Sequence, residues 1–287
     1  QLAEAEQLAK ALGMKIGLYR DLAVGVSEGS CEIWANKELY CPKASIGAPP
    51  DPLGPQGQNW GLPPIDPVQL KQTAYQPFIE LLRANMRGCG ALRIDHVMGL
   101  RRLWWVPPGA PSSMGAYVYY PVEELLAILA LESHRERCMI IGEDLGTVPP
   151  EMRTLLHENG VYSYKVFFFE RADDGGYYSP THYPAQAMAA LTTHDMPTLR
   201  GFWHCDDLAL GRDLGLYPDE DKLQDLYRER HSAKQAILDS LAGHGALPDG
   251  IGHDVSWVGM NTALAHALQE HMCRGNSALF STQLEDW

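Results

Sequence analysis

The chain has 287 residues, of which 45% are hydrophobic and 21% are charged, so we expect a globular fold with a sizeable core and not a disordered chain. Its 36 acidic and 23 basic side chains give a net charge of −13, which disfavours binding to nucleic acids or to anionic membrane surfaces. It lacks an apolar stretch of about 18 residues that could span a membrane, and its six scattered cysteines favour a reducing, cytoplasmic location.

Apolar, β-rich runs alternate with helical patterns along the chain, which is typical of parallel strands joined by helices. The opening residues predict an amphipathic helix with no initiator methionine and no secretory leader, so we expect a piece of a longer protein. The predicted strands cover residues 16–24, 91–94, 139–142, 164–169, 189–193 and 278–282. Four helices are predicted. One follows Pro121, two cover residues 150–159 and 219–242, and the last begins after Asn261.

Residues 41–67 break this alternation, because they are dense in proline and glycine and predict neither a helix nor a central strand. A loop of this length inside a compact domain usually has a function. A linker between two domains is the alternative interpretation. Trp60 argues against a solvated linker, since a flexible tether has little use for a tryptophan.

Three acidic residues lie just past the ends of predicted strands, namely Asp95, Glu143 and Asp195. In α/β barrels and open α/β sheets, the side chains at the carboxyl ends of the strands point into the catalytic mouth. For any one of them alone, a helix N-cap or a surface charge is an equally good interpretation. The three together favour one catalytic site, because basic side chains lie beside them, namely Arg93, His96 and His194.

Two carboxyl groups, one ionised and one protonated, can cleave a glycosidic bond through an oxocarbenium-like transition state. Arg93 lies two residues before Asp95, so both side chains should share one face of the strand, where a guanidinium favours an ionised carboxylate. Crowding by carboxylates in a water-poor cleft should raise the pKa of Glu143. The sequence therefore predicts Asp95 as a nucleophile and Glu143 as an acid, with a third carboxylate that holds sugar hydroxyls or developing charge.

A metal or cofactor site is a weaker interpretation of these residue types. No two histidines have the i, i+4 spacing of a helical zinc site, and the segment GPQGQNWG lacks the Lys-Ser/Thr of a phosphate-binding loop. We therefore expect neither a metal ion nor a cofactor. Among the aromatic side chains we expect only Trp60 to stack on a ligand, because sugar rings present apolar faces.

Three segments, RIDHVMGL, GEDLGTVP and TTHDMPTLRG, resemble the catalytic segments of the amylomaltases, also called 4-alpha-glucanotransferases, which are relatives of the α-amylases. The resemblance extends through GLYRDLAVGV and ASIGAPPDPLGPQGQNWGLPP, so it covers essentially all of residues 1–287 and is closest to the long bacterial form. It implies a catalytic (β/α)8 TIM-type barrel that is incomplete in this chain. About six of eight strands would be present, without the N-terminal strands and the final helix.

The resemblance also implies residue roles. Asp95 matches the nucleophile, Glu143 the general acid/base and Asp195 the transition-state stabiliser. The implied substrate-binding residues are Asp21, Arg93, His96 and His194, together with Asp51, Gln58, Asn59 and Trp60 on a loop over the acceptor side at 41–67. The implied reaction transfers α-1,4-glucan segments between maltooligosaccharides by a retaining double displacement, through a covalent glycosyl-aspartate.

Two other functions remain open at this point. An α-glucan hydrolase could use the same carboxylates, and it would differ in letting water reach the covalent intermediate. A loop that carries Trp60 could favour transfer by excluding water and by binding the acceptor ring. A non-catalytic carbohydrate-binding fragment is the third possibility, motivated by the absent barrel ends.

Overall fold

The computed structural model describes residues 1–50, 56–146, 148–217 and 219–287. Within them the chain divides into two compact units, Gln1–Ser163 and Tyr164–Trp287. Both units combine helices with short strands, which confirms the predicted α/β class. None of the described helices is long and apolar enough to cross a membrane.

The first unit contains seven complete strands and six helices among its described residues. Numbered along the chain, the strands are β1 (Tyr19–Leu22), β2 (Ser45–Ala48), β3 (Gln58–Leu62), β4 (Ala91–Ile94), β5 (Arg102–Val106), β6 (Ala116–Tyr119) and β7 (Met139–Gly142). The helices are α1 (Leu2–Ala11), α2 (Cys31–Ala35), α3 (Pro67–Gln72), α4 (Gln76–Met86), α5 (Val122–Glu136) and α6 (Pro150–Glu158).

Strands β1, β4 and β7 form a parallel sheet in the order β1-β4-β7. All four residues of β4 are buried, as expected for a strand between two neighbours in a sheet covered by helices. The register pairs Asp21 of β1 with Arg93 of β4, and Arg93 with Ile141 of β7. The strands predicted for β4 and β7 are confirmed residue for residue, whereas β1 is shorter than predicted.

Helices α4 and α5 pack against each other and share the core of this sheet. Their apolar side chains join Leu92 of β4 in one buried cluster, which includes Leu82, Met86, Leu126 and Leu129. The two helices also share an ion pair, in which Arg83 Nε lies 2.8 Å from Oε2 of the buried Glu132. Helix α5 begins directly after Pro121, as predicted.

The second sheet of the first unit is antiparallel, with the order β3-β2-β5-β6, and the sequence predicts none of these strands. The composition of residues 41–67 predicts no central strand, and this is wrong for β2, which has β3 on one side and β5 on the other. The prolines flank β2 and do not interrupt it. Gly47 lets β3 approach closely, because a Cβ there would lie only 2.0 Å from the carbonyl oxygen of Gln58.

The second unit has a sheet in the order β10-β9-β8, formed by β8 (Ser163–Val166), β9 (Ala187–Ala190) and β10 (Leu279–Ser281), of which β9 and β10 run parallel. Strand β8 begins at the last residue of the first unit. The described helices are α7 (Leu199–His204), α8 (Asp206–Asp213), α9 (Glu220–Gly243) and α10 (Thr262–Cys273). Their core includes Phe167, Leu199, Ile237, Leu241, Leu264 and Leu268.

Side-chain hydrogen bonds define several boundaries in the second unit. Asn261 caps α10 as predicted, because its side chain accepts a hydrogen bond from Leu264 N at 2.9 Å. Strand β9 covers residues 187–190 and not the predicted 189–193. Beyond Ala190, the Thr193 hydroxyl accepts a local hydrogen bond from Asp195 N, and the Thr192 hydroxyl donates to the distant Asp286. The strand predicted at 164–169 ends at residue 166, where a 3₁₀ turn begins.

Candidate active site

Asp95 and Glu143 lie side by side at the carboxyl ends of two adjacent parallel strands. Ile94 and Gly142 are register partners at the ends of β4 and β7, and each acid is the next residue. The backbone continues the ladder by one step, because Glu143 N donates to the carbonyl oxygen of Ile94 at 2.9 Å. The structure therefore brings these two predicted catalytic carboxyl groups to one edge of the sheet.

Arg93 joins two carboxylates at this edge. Its Nη1 donates to both Oδ1 and Oδ2 of Asp21, each at 2.8 Å, and its Nη2 lies 2.8 Å from Oδ1 of Asp95. Only 4% of Arg93 is exposed, so the contacts lie partly out of water, where charge-assisted hydrogen bonds are strong. The guanidinium fork fixes the orientation of Asp95 towards the edge of the sheet.

Glu143 is the more buried of the two predicted catalytic acids in this unit. It is 9% exposed, and its carboxylate accepts hydrogen bonds from His96 N at 2.9 Å and from Leu145 N at 2.8 Å. Burial raises the pKa of Glu143, and the charge of Asp95 adds to the rise, while the Leu145 and His96 N–H groups oppose it. The direction of this shift favours a protonated carboxyl, as the sequence predicts.

His96 and Trp60 extend the cluster on one side. The backbone of His96 is left-handed, with φ of 44°, and its N–H thereby donates to Glu143. Burial lowers the pKa of the His96 imidazole, although the charge of Asp95 acts in the opposite direction. The lowered pKa favours a neutral ring. The indole of Trp60, on β3, meets this ring edge to face, with centroids 5.5 Å apart and planes at 79°.

The other predicted residues of the acceptor-side segment have separate surroundings. Gln58 Oε1 accepts a hydrogen bond from Trp60 Nε1 at 2.9 Å, so Gln58 fixes the indole. Asn59 Oδ1 accepts from Gly61 N at 3.0 Å, which is a local contact within β3. Both amide side chains belong to exposed residues. Asp51 lies outside the described residues.

A cavity of about 400 Å³ lies beside the cluster within the first unit. Asp21, Glu32 and Asp95 are the acidic residues of its lining, His96 adds an imidazole, and most of the remaining lining is apolar. Among the described residues, neither Glu143 nor Trp60 lines this cavity, so it touches the cluster on one side only. The candidate site is therefore the carboxylate cluster itself, with the cavity next to it.

Asp195 and His194 belong to the second unit and follow β9. They contact each other, with His194 Nε2 3.4 Å from Oδ2 of Asp195, and their side chains are 57% and 66% exposed. Asp195 N donates to the hydroxyl of Thr193 at 3.2 Å. The meeting of all three carboxylates at one site stays a prediction.

Two buried polar residues beside the segment that carries His194 and Asp195 are not among the site residues that the sequence predicts. Asp286 and Thr192 are 4% and 2% exposed, and the Thr192 hydroxyl donates to the Asp286 carboxylate. The rule that selects Asp95, namely an acid shortly after a predicted strand, also applies to Asp286 after β10. Thr192 gives no comparable signal, because a threonine at a strand end is common.

Similarity to known proteins identifies the family. The family model described as 4-alpha-glucanotransferase matches residues 1–287. The chain is 49% identical over 286 residues to the 4-alpha-glucanotransferase of Haemophilus influenzae. This alignment covers 100% of the chain but only 41% of that protein. It is 36% identical over 293 residues to the 4-alpha-glucanotransferase of Mycobacterium tuberculosis, covering 100% of this chain and 39% of that protein.

A solved structure agrees with these sequence relatives. The crystal structure of amylomaltase from Corynebacterium glutamicum superposes with a TM-score of 0.91 and 34% identity. The match covers 98% of this chain and 40% of that one, so the chain spans about 40% of the length of the relatives that it matches. The chain belongs to the 4-alpha-glucanotransferase family.

Proposed function

We propose that the protein to which this chain belongs is a 4-alpha-glucanotransferase, which moves α-1,4-glucan segments from one maltooligosaccharide to another. The observation that carries the proposal is the contrast between two adjacent carboxyl groups. Asp95 is bound to the Arg93 guanidinium, whereas burial raises the pKa of Glu143. Glycosidic bond cleavage with retention needs one carboxylate and one protonated carboxyl group in this arrangement.

In the first step, an Asp95 oxygen forms a bond to the anomeric carbon of the donor while the glycosidic bond breaks. Glu143 gives its proton to the departing sugar oxygen, so the leaving group departs as a neutral hydroxyl. The product is a glycosyl ester on Asp95 and an ionised Glu143. In the second step, Glu143 takes the proton of an acceptor 4-hydroxyl, whose oxygen attacks the anomeric carbon and releases Asp95.

The remaining predicted residues take supporting roles in this proposal. Arg93 holds Asp95 in place, and its bidentate contact with Asp21 fixes the guanidinium. Asp195 stabilises the developing positive charge, and His194 and His96 bind sugar hydroxyls. The segment around Asp51, Gln58, Asn59 and Trp60 covers the acceptor side.

The proposed architecture is a part of a (β/α)8 barrel. Strands β1, β4, β7, β8, β9 and β10 would be six of its eight strands, and the remaining strands and the final helix would lie outside this chain. The parallel pairing of β1 with β4, of β4 with β7 and of β9 with β10 supports this proposal. A cytoplasmic location stays a prediction from the scattered cysteines.

Incubation of the full-length protein with maltotriose tests the function. Transfer gives a ladder of longer and shorter oligosaccharides, whereas hydrolysis gives only glucose and maltose. Glu143→Gln should abolish both, because the variant cannot donate the proton. Binding of maltotriose without any turnover would support a non-catalytic carbohydrate-binding protein. A hydrolysis-only pattern would instead assign the same carboxylates to a glucan hydrolase.

A further inference from the structure

One buried carboxylate holds both ends of the loop that carries His194 and Asp195. Asp286 Oδ1 accepts a hydrogen bond from Leu199 N at 2.6 Å, and its Oδ2 accepts from the hydroxyl of Thr192. Asp286 is 4% exposed, and Thr192 and Leu199 are likewise buried. Burying a carboxylate costs free energy unless it accepts strong hydrogen bonds. The hydrogen bonds from Leu199 N and from the Thr192 hydroxyl offset this cost for Asp286.

The loop between these anchors is exposed at His194 and Asp195, whereas Met196 packs against the core of the second unit. The side chains of His194 and Asp195 are more than half exposed. Within the loop, Met196 N donates to the carbonyl oxygen of Thr193 at 3.1 Å, and Asp195 N donates to the Thr193 hydroxyl. The backbone of Asp195 is thus tied to Thr193, and Thr193 follows the residue that Asp286 holds.

Helix capping alone does not account for Asp286. Helix α7 begins at Leu199, and Thr198 already serves as its N-cap, accepting from Gly201 N at 3.1 Å. The second contact of Asp286, to Thr192, lies on the other side of the loop, where there is no helix to cap. One side chain that bonds to both sides fixes the separation of the loop ends.

We propose that Asp286 is a positioning residue for Asp195, an inference that rests on the proposed role of Asp195 in the transfer reaction. A carboxylate that stabilises a transition state must be held to within about half an ångström of its productive place. A displacement of about 1 Å can cost on the order of 100-fold in rate. Asp286 supplies this constraint from outside the reacting groups, through the two ends of the loop.

The test compares Asp286→Ala with Asp286→Asn in the full-length protein with maltotriose as substrate. Alanine removes both contacts, so kcat should fall by at least about tenfold while KM changes by less than about twofold. Asparagine can keep both contacts, since its carbonyl accepts from Leu199 N and its amide can donate to Thr192. We therefore expect Asp286→Asn to stay within about threefold of the wild-type kcat.

Thr192 provides a second pair of variants that decides the case if Asp286→Ala does not fold. Thr192→Val removes the hydroxyl and should lower kcat, whereas Thr192→Ser keeps it and should restore the wild-type value. The control is Asp219→Ala, which removes the N-cap of α9 in the same unit and should lower Tm without lowering kcat. Thermal unfolding of every variant gives the Tm values for this comparison.

The inference is overturned if Asp286→Ala and Thr192→Val keep kcat within about twofold, or if Asp219→Ala loses as much kcat at an equal loss of Tm. Asp195→Asn separates this failure from that of the proposed function. If Asp195→Asn leaves kcat unchanged, the proposed role of Asp195 fails and the inference with it. If Asp195→Asn lowers kcat and the Asp286 and Thr192 variants do not, only the positioning role of Asp286 is wrong.

Discussion

Glu143 and Asp95 are neighbours in space with different surroundings. Glu143 is almost fully buried and accepts hydrogen bonds from two backbone N–H groups. Burial raises its pKa. The Asp95 side chain is 33% exposed and contacts the Arg93 guanidinium. Two carboxyl groups of the same chemistry can thus take opposite parts in one reaction, because the fold gives them different environments.

The raised pKa of Glu143 predicts the pH dependence of transfer. The general acid must be protonated to donate, so kcat/KM should fall as the pH rises through the pKa of Glu143. Because that pKa is raised, this decline should begin at a higher pH than an ordinary glutamate would give. Initial rates with maltotriose from pH 4 to pH 9 measure it, and a kcat/KM that stays flat across this range contradicts the assignment.

Trp60 should decide how the covalent intermediate is divided between sugar and water. Its indole contacts the His96 ring and is held by Gln58, beside the carboxylate cluster. Trp60→Ala removes a surface on which an acceptor ring can stack and lets water approach, so the ratio of transfer to hydrolysis should fall by about tenfold. Product analysis by chromatography, with maltotriose as substrate, measures this ratio.

The control for this prediction is Trp257→Ala. Trp257 is 87% exposed in the second unit, and its removal should leave the ratio unchanged. If Trp60→Ala gives the wild-type ratio, then Trp60 has no part in acceptor binding or water exclusion. If both variants lower the ratio equally, the effect is not specific to the site.

At the scale of the element, the buried face of α5 belongs to the core cluster that also contains Leu92 of β4 and Ile140 of β7. Leu126 is 1% exposed in the core, whereas Leu131 of the same helix is 48% exposed. Leu126→Ala should lower the free energy of unfolding by about 2–5 kcal/mol, because it leaves a cavity. Leu131→Ala should cost less than about 1 kcal/mol, since little apolar area is lost there. Urea unfolding measures both, and equal losses would contradict the packing described.

The buried His271 on helix α10 should make the stability of the folded state depend on pH. His271 is 5% exposed, and burial, together with the charges of His244 and Arg274, lowers its pKa to about 4 from 6.5. As the pH falls below about 6.5, the unfolded state binds the proton first, so the folded state loses stability until about pH 4. Each pH unit should cost up to about 1.4 kcal/mol.

Urea unfolding of the wild type and of His271→Gln at pH 7, 6 and 5 tests this prediction. The wild type should lose more stability than the variant over this range, because only the wild type can bind a proton at this position. Equal slopes in the two proteins would mean that His271 titrates normally in the folded state.

The elements also show what can be predicted from sequence. Strands β4 and β7 are predicted residue for residue, because buried parallel strands are short apolar runs between turn signals. The antiparallel strands escape detection because β2 contains Gly47 and lies between prolines, and its pairing depends on the distant residues of β5. Long helices with a polar cap, such as α9 and α10, are predictable to within a few residues.

In the candidate site, too, some residues can be predicted from local sequence and others depend on contacts between distant residues. Asp95 and Glu143 are found because acids at strand ends stand out, and Arg93 follows from its two-residue spacing to Asp95. The bidentate contact of Arg93 with Asp21 depends on the register of two strands about seventy residues apart, which no local pattern gives. The two-sided contact of Asp286 is likewise visible only in three dimensions.

At the scale of the whole molecule, the chain carries a net charge of −13, and a neutral glucan neither gains nor loses much from such a field. The division into Gln1–Ser163 and Tyr164–Trp287 places Asp95 and Glu143 in one unit and Asp195 in the other. The residues that the proposal names therefore belong to both units, and the chain spans 41% of its Haemophilus influenzae relative. The full-length protein is thus the right material for every assay of transfer.

The most direct test of the account traps the covalent intermediate. In the full-length Glu143→Gln variant, α-maltosyl fluoride can react without an acid, because fluoride is a good leaving group, while attack of the acceptor is slowed for want of a base. Mass spectrometry of the digested protein should then find one added maltosyl group on the peptide that contains Asp95. A maltosyl group on any other residue, or none while the fluoride is consumed, would contradict the account.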